Sequence, residues 1–263
     1  MNILNKNTRN RNVQNRNVQN RHVQNRNVFT FIGCDKEYAE SDVVIFGAPF
    51  DSTTSYRPGT RFASSAIRNE SYGIETYSPY LDKDLTDYSF FDGGDLELPF
   101  GNPARALEDI KEYTWQVIRD GKLPFMIGGE HLVTLGAVRA AVKAHEDLHI
   151  LHFDAHADLR EDYLGETLSH ATVMRRCWEI VGDNKIYQFG IRSGDREEFY
   201  WGRNHVNTQK FNFDGLEQVI KELKGKPVYV TLDLDILDPS VFPGTGTPEA
   251  GGVSFLELLA AIQ

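Results

Sequence analysis

From Phe29 onward, short apolar runs and longer amphipathic stretches alternate along the chain. Val43–Phe46 (VVIF) is a β-branched run closed by Gly47-Ala48-Pro49, which predicts a buried first strand. The Gly/Pro/Arg-rich loop SYRPGTRFAS leads into a helix near Ala66. Tyr88–Phe91 reads as a second strand running into Gly93-Gly94. Asn102-Pro103 supplies an N-cap and a helix-opening proline, with Leu107, Ile110, Tyr113, Val117 and Ile118 following at helical spacing. Pro124–Ile127 is strand-like, and Gly128-Gly129 then leads to the helical run LVTLGAVRAAVKAH. His149–Phe153, Lys185–Phe189 and Val228–Leu232 are further strands, and Ser254–Glu257 forms a capping box before a last helix. Strands separated by helices imply a parallel sheet with helices on both faces.

The 263 residues suit one α/β domain at residues 29–263. Residues 10–28 repeat a five-residue unit (NRNVQ, NRNVQ, NRHVQ, NRNV) with one small apolar residue each. Such a unit buries too little surface to offset its ordering entropy, so residues 1–28 are expected to be a low-complexity, disordered extension. No apolar run reaches the ~20 residues that span a bilayer, so no membrane partner is expected. Cys34 and Cys177 are the only cysteines, too few for a disulfide framework or a thiolate zinc site, and a reducing cytoplasm suits them.

The formal net charge is −10. Six of the 28 basic side chains lie in residues 1–28, which hold no acidic ones; the remaining 22 face 38 acidic groups, giving the body −16. Such a body suits metal ions and cationic substrates and argues against nucleic-acid binding through it.

Three segments carry candidate chemistry, each at the carboxyl end of a predicted strand, where open α/β sheets place ligands. In Leu151–Asp158 (LHFDAHAD), Asp154, His156 and Asp158 are spaced i, i+2, i+4 and turn to one side of an extended chain. Carboxylates crowded around an imidazole repel one another unless a cation sits among them. Asp233 and Asp235 follow the apolar run VYV in the same way. In Gly128-Gly129-Glu130-His131 the paired glycines permit a tight turn that points His131 over the strand ends. Two histidines and four aspartates are too oxygen-rich for a lone structural zinc and suit Mn²⁺ or a similar ion. Six such ligands can hold two ions about 3.5 Å apart if two carboxylates bridge. His152 shares strand parity with Asp154 but lies deeper, and reads as a buried, satisfied histidine rather than a ligand. His145, His149 and His205 read as surface residues.

Gly128–His131, Asp154-Ala-His-Ala-Asp158 and Asp233-Leu-Asp-Ile-Leu-Asp-Pro239, with the loop Arg57-Pro-Gly-Thr-Arg61, resemble the motifs of the ureohydrolases, the arginase and agmatinase family, from about Asp42 to the C-terminus. The resemblance implies a three-layer αβα fold of the arginase/deacetylase type, with a mainly parallel eight-stranded sheet, in trimers or hexamers. It implies two Mn²⁺ ions: one held by His131, Asp154, Asp158 and Asp233, the other by Asp154, His156, Asp233 and Asp235. A metal-bridging hydroxide would attack the guanidinium carbon, with Asp158 accepting its proton. His170, in Leu168-Ser-His-Ala-Thr172, matches the family's mobile histidine and would move a proton to the leaving amine, releasing urea.

The stretch Tyr163-Leu-Gly-Glu-Thr-Leu-Ser-His170 and the run Gly190-Ile-Arg-Ser-Gly-Asp-Arg-Glu-Glu198 look like those of bacterial agmatinases. The substrate so implied is agmatine, hydrolysed to putrescine and urea as in polyamine biosynthesis, with Glu166 and Asp195 placed to attract its amine. Guanidinobutyrase-type and arginase-type substrates are the alternatives. In the family a guanidinium-binding glutamate lies on a later strand, whereas this chain stops at Gln263, 28 residues after Asp235. The C-terminal part of the domain is therefore expected to be missing, and a competing reading is a metal-binding relative with impaired catalysis.

Overall fold

The structure is a computed structural model describing residues 29–263, so the repeated extension assigned to residues 1–28 lies outside the described residues. Seven parallel strands form two sheets. In the first, β1 (Val43–Gly47) lies between β4 (Phe90–Asp95) and β5 (Leu123–Ile127); β2 (Tyr77–Ser78) and β3 (Lys83–Asp84) form a small antiparallel hairpin. In the second, β6 (His149–Phe153) lies between β7 (Ile186–Ile191) and β9 (Val228–Leu232), and β8 (Asn207–Lys210) pairs outside β7. The eight-stranded sheet of the resemblance is thus represented by three strands and four. Both β5 and β9 are edge strands here, with Leu123, Phe125 and Val230 exposed.

Helices cover both faces. On one side, α1 (Ala63–Ser71), α2 (Pro103–Arg119), α3 (Val133–Ala144) and α4 (Val173–Val181) precede α5 (Arg196–His205). Leu107, Ile110, Leu135, Val138 and Met174 pack there with Val44, Phe46, Ile150 and Ile186 from the strands. On the other side, α6 (Leu216–Leu223) and α7 (Phe255–Ile262) contribute Leu216 and Leu258, which pack with Leu151, Phe153 and Phe189. Neighbours Ile150 and Leu151 thus enter opposite cores, as the two-residue period of a strand requires. The result is three layers.

Local signals explain the element ends. Asn102 Oδ1 accepts from the Arg105 N–H at 3.0 Å and Pro103 opens α2, which buries Leu107, Ile110, Thr114 and Val117 on one face. The Ser254–Glu257 capping box forms at the start of α7. β8 (NTQK) has no apolar alternation because it is an edge strand with partly or fully exposed positions. One sequence expectation needs correction: His149 is buried, as the first residue of the fully buried β6, rather than at the surface. Among the described residues no helix is long and apolar enough to cross a membrane.

Candidate metal centre and active site

The carboxyl ends of β5, β6 and β9 meet beneath a cleft of about 320 Å³. After β5 the chain turns through Gly128-Gly129. A Cβ on Gly129 would lie 2.0 Å from the Phe50 carbonyl oxygen, so only glycine fits where the two backbones pass. The Glu130 N–H then donates to that same carbonyl at 2.8 Å, which carries His131 over the sheet.

The His131 Nδ1 lies 2.8 Å from Asp154 Oδ2, 2.9 Å from Asp158 Oδ2 and 3.9 Å from Asp233 Oδ2. The His156 Nδ1 lies 3.1 Å from Asp235 Oδ2 and 3.4 Å from Asp154 Oδ1. All six residues singled out as metal ligands in the sequence therefore converge on the cleft wall. Asp158 achieves its aim with a left-handed backbone (φ 55°), a conformation aspartate tolerates better than most residues. Its carbonyl accepts from the Met174 and Arg175 N–H groups at the start of α4. Asp154, His156 and Asp235 form one group able to hold a cation; His131, His152, Asp154 and Asp158 form a second. The two groups share Asp154. Carboxylates with a few imidazoles are the donor set of a hard or borderline divalent ion, so these residues fit a pair of them.

The electrostatics follow from this crowding. Burial and the neighbouring Asp154 charge raise Asp158 to about 7 and Asp235 to about 6; burial with Asp235 and Asp154 raises Asp233 to about 7. Burial also opposes ionisation of Asp154, but hydrogen bonds from His131, His152 and His156 outweigh it and hold this carboxyl well below the usual range. For His156 burial likewise disfavours charge, yet Asp154 and Asp235 lift it to about 12. His152 is fully buried and moves down, chiefly by desolvation. Both of its ring nitrogens are engaged, Nε2 with Asp154 Oδ2 at 2.8 Å and Nδ1 with Gln188 Nε2 at 3.0 Å.

His170 sits on the cleft wall in a ring of hydroxyls. Its backbone N–H donates to Thr53 Oγ1 at 3.0 Å, its Nε2 is 3.2 Å from Ser55 Oγ, and its Nδ1 is 3.3 Å from Ser169 Oγ. Burial lowers its pKa. Glu166 and Asp195 are not among the residues lining the cleft. The Glu166 backbone closes a tight turn with Tyr163, while Asp195 caps α5 and pairs with Arg160 at 3.0 Å.

Sequence reasoning overlooked three carboxylates in the wall: Glu130, Glu198 and Glu249. Burial raises Glu130 to about 7 against donors from Thr53 and Thr54. Glu249 lies in a Gly/Pro-rich loop, where Ser193 Oγ donates to its Oε1 at 2.8 Å and His156 Nε2 stands 3.7 Å away. The hydroxyl run Ser52-Thr53-Thr54-Ser55 beyond the first strand was the available signal for His170's surroundings.

The model of the arginase family matches residues 41–263, and the chain belongs to that family. It is 51% identical to the agmatinase of Bacillus subtilis (strain 168) over 235 residues, covering 89% of this chain and 81% of that protein. Identity to the Bacillus anthracis agmatinase is 50% over 235 residues, covering 88% and 81%. Among solved structures, the agmatine ureohydrolase of Thermoplasma volcanium superposes with a TM-score of 0.82 at 34% identity, covering 90% of this chain and 81% of that one.

Proposed function

We propose that this protein hydrolyses a guanidino compound, foremost agmatine, to urea and a primary amine, which for agmatine is putrescine. The observation that carries the reading is the pair of ligand groups sharing Asp154 at the sheet's carboxyl end. His131, Asp154, Asp158 and Asp233 would hold one Mn²⁺, and Asp154, His156, Asp233 and Asp235 the other. Bound there, the two cations supply the acidity that makes water nucleophilic near neutral pH.

The chain's own residues do the rest. Asp158 Oδ2, raised toward neutrality, accepts the proton of the attacking water. His170, its pKa lowered by burial in the hydroxyl ring, passes a proton to the nitrogen that leaves, so guanidinium plus water becomes urea plus ammonium. Glu249 places a carboxylate beside the His156 ring for a cationic substrate. The acidic wall, in which Arg160 is the single Arg or Lys among the described lining residues, disfavours substrates carrying a carboxylate. Agmatine carries two positive charges and no carboxylate, and proteins named agmatinase are about 50% identical to this chain. The buried thiols Cys34 and Cys177 suit a reducing cytoplasm, and a homo-oligomer, trimer or hexamer, is the assembly we assign.

The test is urea release with added Mn²⁺ from agmatine, arginine and 4-guanidinobutyrate side by side. Agmatine should give the highest kcat/KM. A protein that binds the metal yet releases urea from none of the three is not a ureohydrolase.

A further inference from the structure

One row of side chains crosses the four-stranded sheet immediately below the cluster. The register aligns Thr208 on β8 with Gln188 on β7, and Gln188 with His152 on β6. The same row continues from His152 to Thr231 on β9. Four polar residues in line through strands that otherwise feed two apolar cores call for a reason, because each must be fully hydrogen-bonded to be tolerated there. Gln188 and His152 are wholly buried.

The donors run in one direction. The Thr208 hydroxyl donates to Gln188 Oε1 at 2.8 Å. The Ala157 carbonyl can only accept, and this fixes the other end of the amide as the nitrogen, so Gln188 Nε2 faces inward. It donates to the Ala157 carbonyl at 2.8 Å and to His152 Nδ1 at 3.0 Å. With Nδ1 accepting, the neutral imidazole must carry its proton on Nε2, which donates to Asp154 Oδ2 at 2.8 Å. At the other end of the row, Thr231 Oγ1 lies 2.9 Å from His131 Nε2, leaving Nδ1 for the acidic cluster.

We infer that Thr208, Gln188 and His152 form a hydrogen-bond relay whose purpose is to aim the Asp154 carboxylate that both metal positions share. The inference rests on the metal reading above. His152 is then a positioning residue, acting through Asp154, and not a seventh ligand, because neither ring nitrogen is free to face an ion. Partners outside the ligand shell typically change metal affinity by about 10–100-fold when removed.

Two variants outside the ligand set probe the relay. Gln188→Met keeps the volume but removes the donor to Nδ1. Thr208→Val, on the edge strand, removes only the hydroxyl that holds the amide oxygen, and Thr208→Ser restores it. Mn²⁺ titration followed by isothermal calorimetry should show two ions bound in every case. Affinity should fall about 10–100-fold in Gln188→Met, fall by a smaller factor in Thr208→Val, and recover in Thr208→Ser. Independently, 15N spectra of the metal-free wild type should show His152 protonated at Nε2 and bare at Nδ1. The relay is overturned if folded Gln188→Met and Thr208→Val bind Mn²⁺ like the wild type, or if the proton is found on Nδ1. A His152→Gln variant that loses one ion outright, with Gln188→Met unaffected, would make His152 a ligand instead. If the wild type itself takes up no divalent ion, the metal reading fails, and this inference with it.

Discussion

Asp158, Asp233 and Asp235 share a confined space with Asp154, and only Asp154 has enough donors around it to remain ionised cheaply. The consequence is a defined pH window. In the metal-free protein, carboxyls raised from about 4 to about 6–7 carry protons at pH 5 to 6, and an entering cation must displace them. Metal affinity should therefore rise steeply with pH up to about 7 and go on rising less steeply above it, because His156, lifted to about 12, must also give up a proton to bind, with proton release measurable by calorimetry in buffers of different ionisation enthalpy. The folding linkage follows: a carboxyl raised in the fold contributes stability that is fully present below its unfolded value of about 4 and is lost as pH climbs from there through 6–7. Asp154 is opposite, contributing above the ordinary carboxylate range and failing only in stronger acid. Binding without proton uptake or release at pH 6 would refute these assignments. The convergence of the six proposed ligands was legible in the sequence because each follows a recognisable strand at a fixed spacing. Glu130, Glu198 and Glu249 were not, because they reach the cleft from loops and a helix start whose paths only tertiary packing fixes.

At the scale of the element, the turn after β5 shows how local chemistry sets the site. Glycine at 129 is imposed by the Phe50 backbone, not by a turn type. Gly129→Ala forces the β1 and β5 loops apart. It should destabilise the fold by about 1–3 kcal/mol, and it should weaken metal binding more than a surface Gly→Ala change of equal stability cost. Thermal unfolding together with Mn²⁺ titration separates the two effects, and unchanged values of both would remove the steric argument. Strands buried on both faces, such as β6, announce themselves as apolar runs, which is why the central strands were readable. β8 was not, since Asn207–Lys210 pairs only along one edge and offers no pattern of period two. His149 was misread for a related reason: a polar residue at a strand's first position looks solvated until the neighbouring Tyr187 packs beside it.

At the scale of the whole molecule, the proposed ligands come from both sheets. His131 follows β5 in the three-stranded sheet, whereas the other five follow β6 and β9 in the four-stranded one. Those sheets share no ladder among the described residues. An ion held between His131 and the aspartates therefore ties one sheet to the other, and stability should depend on free metal by mass action. At a hundredfold excess over Kd the gain is about 2.7 kcal/mol; for a domain of this size that is a rise in Tm of roughly 5–11 °C. Scanning calorimetry across a range of Mn²⁺ concentrations, with a chelator as reference, measures it; a Tm indifferent to metal would mean the sheets are joined without it.

The division between the sheets also has a chronology. β1, β4 and β5 are all synthesised by residue 127, ahead of every strand of the other sheet. A chain leaving the ribosome thus owns His131 before Asp154, Asp158, Asp233 or Asp235, and it gains Asp233 and Asp235 only once β9 docks beside β6. Loading of the proposed pair of ions would then wait for β9, and a pause in translation anywhere before it would leave the proposed ligand set without Asp233 and Asp235.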